Sequence, residues 1–571
     1  MKHLRPYMKT YRLQSILAPA FKMLEAAFDL TVPLLVARII DDGIAAGNTQ
    51  VIWSNFVLML LMALLGLSCS FTAQFFAAKA AIGSAAGLRR DLLRHIQSLS
   101  FTELDTIGTS TLITRMTSDI NQVQNGINMF LRLFLRSPFI VFGAMVMVFT
   151  INTQLALIFV AAIGALFVIV FGMMCITNPK YKQTQKNVDG ITAATRENLN
   201  GVRVIRAFGR EQTQVREFAA LNEKLAKSQL HVGRISAMLN PLTYVVVNAA
   251  IIGVLWMGAG KVEGGVLLRG DLVAMINYIG QILIELVKLA NLIVLLSKAM
   301  ASLGRVEQIL DTESSMVFAG TETGRDSEDI LSFRNVSLCY QGAGDASISG
   351  ISFDLKKGQT MGIIGGTGSG KSTLVSLIPR FYDATEGTVF LKSVPVQDLK
   401  EEVLRKSVAI VQQKAQLFAG TIRSNLLWGR EDASDEDLWR ALEAAQAAEF
   451  VKEKGLDAVV EQGGRNLSGG QKQRLTIARA LVSQPEILIL DDSASALDYA
   501  TDAALRSAIQ NLPGEMTVII VSQRTASIQH ADQILVLEDG LLAGQGTHTE
   551  LLETCSVYRE IYESQFRKEE A

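Results

Sequence analysis

Nine residues from Gly365 to Thr373, GGTGSGKST, follow the strand-like run MGIIG and precede the helical run LVSLIP. Strand, glycine-rich loop and helix, in that order, form the setting in which a GxxxxGK[ST] string binds phosphate. Gly365, Gly368 and Gly370 let backbone N–H groups approach phosphate oxygens, with Thr367, Ser369 and Thr373 in the same loop. Lys371 adds charge at the β and γ phosphates, and the Ser372 hydroxyl suits Mg2+. Downstream, the apolar run PEILIL ends in Asp491. A carboxylate at the mouth of a parallel sheet is placed to hold Mg2+ through water. The chemistry these residues point to is binding of a nucleoside triphosphate with a magnesium ion.

The elements that position them belong to two kinds of chain. With 571 residues the protein exceeds one ordinary domain, and 49% hydrophobic content is too apolar for a soluble pair. A mean hydropathy of +0.28 agrees. Long apolar runs fill the chain before about residue 300 and a normal charge mixture follows, so one membrane domain precedes one soluble domain. The balance of 54 Lys and Arg against 55 Asp and Glu offers no case for nucleic acid as a partner. Cys69, Cys175, Cys339 and Cys555 are scattered without metal-type spacing, as in a chain whose soluble part stays in a reducing compartment, so neither a disulfide nor zinc is expected.

A membrane span needs roughly 20 mostly apolar residues. Six candidates lie near 14–40, 54–84, 126–150, 154–177, 238–262 and 270–300. Two long polar helical stretches, about 85–125 and 180–236, separate them and extend spans two to five into the aqueous phase. These stretches carry Arg89, Arg90, Arg94 and Arg115, then Lys180, Lys182, Lys186, Arg203, Arg206 and Arg210, whereas the connections near 42–50 and 151–153 lack Lys and Arg. The positive-inside bias makes the long stretches and both termini cytoplasmic. The expected domains are a cytoplasmic interfacial elbow helix over 1–13, or else a frayed basic tail, a transmembrane domain over 14–310, a linker over 311–329 and a nucleotide-binding domain over 330–571. Within the first span Lys22, Glu25 and Asp29 share one face, with an ion pair between Lys22 and Glu25 as the simplest account. In the last span Asn277, Gln281 and Glu285 recur every four residues with Lys288 beyond. That stripe serves either to line a cargo cavity or to bond between helices. Pro33, Pro138 and Pro241 mark kinks or span ends.

Between the phosphate loop and Asp491 lies NLSGGQKQR, 466–474. It resembles the LSGGQ signature of the ATP-binding cassette (ABC) transporters. The resemblance implies that Ser468, Gly469, Gly470 and Gln471 complete an ATP site across a dimer. It implies further that Tyr340 stacks on adenine and that Gln413 reaches Mg2+ and the attacking water, although Gln412 stands where proline is more usual. SALD at 495–498 matches the D-loop and EQGG at 461–464 resembles a short exporter motif. DTIGTST at 105–111 and GVRVIRAF at 201–208 resemble coupling stretches of ABC exporters. The resemblance covers essentially the whole chain. The fold it implies is a membrane α-helical bundle of six spans, ABC exporter type, fused to a cytosolic α/β P-loop ATP-binding cassette domain.

Two positions depart from that family. Asp492 follows Asp491 where a glutamate usually polarises water, and Gln523 replaces the histidine that bridges the γ-phosphate. Glutamine bonds but carries no charge. His530, the nearest histidine, is expected at the surface. The chain is thus similar to the degenerate-site subunit of bacterial heterodimeric multidrug ABC exporters. The resemblance implies a related half-transporter as partner, the lipid bilayer, hydrophobic or amphipathic cargo, ATP and Mg2+ as cofactors, and the bacterial inner membrane as location. A lipid or peptide exporter of the same architecture, or a homodimeric nucleotide-gated regulator, remains an alternative.

Overall fold

The computed structural model describes residues 3–493, 497–512 and 514–566. The chain divides into two compact units, Met1–Gln97 with Ser110–Thr312, and Ser98–Thr109 with Glu313–Ala571.

The first unit is all helical. After α1 (Arg5–Thr10) come α2 (Arg12–Arg38), α3 (Thr49–Ser98), α4 (Ile120–Leu133), α5 (Arg136–Ile151), α6 (Thr153–Asn200), α7 (Glu211–Ala237), α8 (Leu239–Glu263) and α9 (Arg269–Leu310). Among the described residues, five stretches are long and apolar enough to cross a membrane: Thr49–Ser98, Thr109–Ile151, Thr153–Asn200, Glu211–Glu263 and Arg269–Leu310. At 1.5 Å per residue the 50 residues of α3 extend about 75 Å, far beyond a ~30 Å hydrocarbon core. The expected first span differs. α2 has 27 residues, which is length enough, but Lys22, Glu25 and Asp29 remove it from the apolar class. Two of these charges are enclosed: Lys22 is buried and bonds Glu25 at 2.6 Å and Ser70 at 3.0 Å. The α1 segment packs on α3, where the rings of Tyr11 and Tyr7 occupy the space a Cβ would need at Gly83 and Gly87. Pro138 and Pro241 fall in the first turns of α5 and α8, and Pro33 lies inside α2.

Two residues of the polar stripe of α9, Gln281 and Glu285, bond between helices. Glu285 is 3% exposed and accepts from Arg136 Nη1 at 2.6 Å, Ser137 Oγ at 2.6 Å and Lys288 Nζ at 2.8 Å. Arg136 also donates to Asp29 at 2.9 Å, and Gln281 donates to the Asp29 carbonyl at 3.2 Å. Asn277 bonds only its own helix, at Val273 O. Of the two readings of this stripe, these bonds favour the interhelical one at Glu285. A carboxylate in an apolar bundle needs partners, and Arg136, from 149 positions away, supplies the main one.

The second unit is an α/β layer structure. The strands of its two larger sheets are β1 (Asp329–Leu338), β2 (Ile348–Lys356), β3 (Thr360–Gly365), β4 (Glu386–Leu391), β5 (Val394–Pro395), β6 (Val408–Val411), β7 (Ile487–Asp491), β8 (Thr517–Val521), β9 (Gln533–Glu538) and β10 (Leu541–Gly546). A four-stranded antiparallel sheet runs β2-β1-β4-β5, and a six-stranded sheet runs β10-β9-β3-β8-β7-β6. Every pairing in the larger sheet is parallel except β9 with β10. The central strands are therefore apolar on both faces, and β7 is buried at every residue. Helices α10 (Lys371–Leu377), α11 (Gly469–Val482), α12 (Tyr499–Gln510) and α13 (Ser556–Phe566) complete the part that concerns the site.

Two segments outside 330–571 pack in this unit. The stretch expected as a linker is held down: Met316 is buried, the guanidinium groups of Arg380 and Arg405 lie 4.8 and 5.1 Å from the Phe318 ring, and Glu322 N–H donates to Asp398 O at 3.0 Å. The short helix Phe101–Ile107, whose chain neighbours on both sides belong to the first unit, also packs here. Phe101 lies 4.7 Å from the Phe381 ring, and Tyr382 donates to Asp105 at 2.6 Å.

Candidate nucleotide site

β3, β8 and β7 lie side by side and parallel. Their carboxyl ends therefore open on one edge, the place where open α/β sheets bind ligands. The loop after β3, the pair Asp491 and Asp492 at the end of β7, and Gln523 after β8 line one cleft of about 460 Å³. Residues Thr367 to Thr373 and Gln413 line it too.

The loop adopts the backbone its glycines permit. Gly368 and Gly370 have φ of +84° and +89°, a region that L side chains enter only at a cost. At Gly370 a Cβ would also meet Ser347 O at 2.7 Å. Lys371 folds back over the loop and donates to Gly365 O at 2.9 Å and Gly366 O at 2.6 Å. Burial pushes its pKa down, an effect the carboxylates of Asp492 and Asp491 oppose. A half-buried ammonium bonded to carbonyls at the mouth of a glycine loop fits an incoming polyanion such as the phosphates of ATP.

Oxygen donors for a hard cation lie beside it. Ser372 Oγ is 3.1 Å from Asp491 Oδ1. Asp491 is almost fully buried, and that burial raises its pKa. One carboxylate, one hydroxyl and the side-chain oxygen of Gln413 suit Mg2+, which binds through few protein oxygens plus phosphates and water. Gln413 Nε2 meanwhile donates to Asp492 Oδ2 at 3.0 Å. Asp492 has φ of +44°, so the chain turns sharply where β7 ends.

Tyr340 stands beside the loop helix, its hydroxyl donating to Thr373 Oγ1 at 3.2 Å. The Tyr382 ring meets it edge-on at 5.1 Å. Tyr382 was not singled out from the sequence, and neither were Asp539 and Gly540, which line the cleft. The only sequence signal for the latter was the tight turn between β9 and β10. His530 is exposed and lies outside the cleft lining.

The signature residues stand elsewhere. Ser468 caps α11, its hydroxyl accepting from Gln471 N–H at 3.3 Å. Ser468 and Gly469 are exposed, and neither lines the phosphate cleft. At Gly469 a Cβ would meet nothing within 4 Å. Ser495 and Ala496 of the expected D-loop lie outside the described residues, while Asp498 caps α12.

Comparison with known proteins matches residues 15–286 to the family model of the ABC transporter transmembrane region and residues 348–495 to that of the ABC transporter. The chain is 36% identical over 565 residues to the ABC transporter ATP-binding protein YfiB of Bacillus subtilis (strain 168), covering 99% of this chain and 98% of that one. It is 29% identical over 569 residues to the ATP-dependent lipid A-core flippase of Mannheimia succiniciproducens, covering 99% and 97%. A solved bacterial Atm1-family ABC exporter with ATP bound superposes with a TM-score of 0.80 at 24% identity, covering 98% of this chain and all of that one.

Proposed function

The chain belongs to the ABC transporters as a bacterial exporter-type half-transporter with membrane and ATP-binding parts fused, and we propose that it pairs with a related but different half-transporter, holding the weaker of the pair's two ATP sites. It is an ATPase-coupled transporter of the bilayer, and ATP is its fuel. The observation that carries the finer reading is the shared cleft of Asp492 and Gln523.

In this reading the loop amides, Lys371 and Tyr340 hold ATP, while Ser372, Asp491 and Gln413 hold Mg2+. When bound, Mg2+ neutralises charge developing between the β and γ phosphates. Asp492 stands where a carboxylate orients the attacking water, but it is one methylene short and is engaged by Gln413. A misplacement of ~1 Å can lower a rate on the order of 100-fold. Gln523 offers the γ-phosphate a neutral hydrogen bond in place of a charged one, roughly half as strong.

Ser468 and Gly469 act on the partner's nucleotide. Their exposure at the N-terminus of a 14-residue helix supports this, since such a helix end favours anions. The open space at Gly469 supports it too, since nothing in this chain's own packing excludes a side chain there. Val204 and Phe208, on and after the short helix Val202–Ala207, are 61% and 76% exposed, an apolar surface suited to a second half-transporter. The cargo is a hydrophobic or amphipathic compound. The lipid A-core flippase among the relatives keeps a lipid within that class.

Two variants of the paired transporter test the assignment. Ser468→Arg places a bulky cation against the partner's phosphates and removes a donor, whose loss costs ~2.7–4 kcal/mol in transition-state stabilisation. It should abolish ATPase activity, while Asp492→Asn should leave most of it. The reverse ranking in one membrane preparation overturns the assignment.

A further inference from the structure

The loop after β8, which carries Gln523, is gripped from two sides. On one side α12 holds it: Arg506 donates to Ala526 O at 3.0 Å, and Ser527 Oγ donates to Asp502 at 3.1 Å. The Arg524 guanidinium lies 4.9 Å from the Tyr499 ring. On the other side the terminal helix α13 reaches it with one side chain. Gln565 Nε2 donates to the backbone carbonyl of Gln523 at 2.7 Å. Gln565 Oε1 accepts from both the N–H and the hydroxyl of Thr525 at 2.9 Å. One amide thus brackets Arg524, using its donor on the residue before and its acceptor on the residue after.

The helix that presents Gln565 is itself fixed to the sheet. Tyr558 is fully buried in a cluster with Ile364, Ile528 and Val536, and the helix packs against β9 and the loop after β8. The Tyr558 hydroxyl lies 2.7 Å from His548 Nδ1. Gln565 therefore stands on a helix anchored through Tyr558, and its amide is a geometric constraint on the cleft edge.

We propose that α13, through Gln565, is the positioning device of this ATP site, fixing the Gln523 backbone before nucleotide arrives and so slowing nucleotide release. A histidine at 523 would order the loop by a charged bond to phosphate, formed only when nucleotide is present. Glutamine lacks that bond, and the three hydrogen bonds of Gln565 supply order from the protein side instead. The ordering entropy is then spent in folding, not in binding. Gln565 does not line the cleft, so it acts through Gln523 and not on the nucleotide. The inference rests on the reading of this site as one that holds ATP.

The test is hydrogen exchange by mass spectrometry on the full nucleotide-free chain, with Gln565→Ala and Gln565→Glu. Gln565→Ala should speed exchange across 522–528 about tenfold, the equivalent of ~1.4 kcal/mol. Gln565→Glu keeps the acceptor for Thr525 and loses the donor to Gln523, so its effect should be smaller. If Gln565→Ala does not accumulate as folded protein, Gln565→Glu decides. Release of a fluorescent ATP analogue with Mg2+ should quicken by the same factor, with exchange in α11 unchanged. Unaltered loop exchange overturns the proposal, and so does faster exchange with unaltered release. A wild-type paired transporter that retains no analogue at this site refutes the ATP-holding reading, while the exchange data still report on the clamp.

Discussion

Restoring the two departures in the cleft should turn a holding site into a hydrolysing one. The perturbation is Asp492→Glu combined with Gln523→His. Asp492 Oδ2 sits 3.0 Å from Gln413 Nε2 on a backbone fixed by a φ of +44°. One methylene adds about 1.5 Å, which carries the carboxylate past Gln413 into a cleft of about 460 Å³. Recovering a misplacement of ~1 Å is worth on the order of 100-fold. A histidine that is charged in part near neutral pH replaces a neutral hydrogen bond by a charge-assisted one, about twice as strong. The two changes act on one transition state, so their effects should not add simply. The expected gain is between 10- and 100-fold in ATP turnover at this site. The assay is steady-state ATPase of the paired transporter in lipid nanodiscs, with the partner's ATP site inactivated so that only this site turns over, and with Lys371→Ala as the zero. The unaltered chain should turn over slowly. If it already runs at the rate of a full exporter, or if the double variant gains nothing, the account of Asp492 and Gln523 is refuted.

Three further outcomes follow from burial and charge. Arg136→Ala leaves Glu285 and Asp29 without their shared cation and should destabilise the membrane unit by ~3–5 kcal/mol, seen as a large fall in melting temperature. Glu285→Gln should lower stability less and leave the ratio of transport rates for cationic and neutral compounds unchanged; a shifted ratio would return Glu285 to cargo binding. At Asp491 burial raises the pKa, so the folded state penalises the ionised form at neutral pH and that penalty fades as pH falls. Asp491→Asn should therefore raise the melting temperature of the nucleotide-free protein by ~2–4 °C for each kcal/mol relieved, while removing the further rise that MgATP gives the unaltered chain.

The sequence by itself determined the phosphate site. GGTGSGKST, Asp491 and the strand runs before them are local patterns, and a parallel sheet with neighbouring strands brings their ends to one edge without further information. The two departures at Asp492 and Gln523 were legible for the same reason, since each follows a strand that fixes its position. The long helices were legible from apolar length, though α2 shows the limit: its composition alone hides that two of its charges are enclosed. What only the tertiary structure decided are partnerships between side chains far apart in the chain. Nothing near Glu285 announces Arg136 at 149 positions' distance, and nothing near Gln523 announces Gln565 at 42. The helix Phe101–Ile107 packs with the second unit although it sits amid the first in sequence. Local periodicity reports which face of an element is apolar. It carries no record of which polar group on another element will meet a buried charge or a loop carbonyl, because that choice is made when the elements pack.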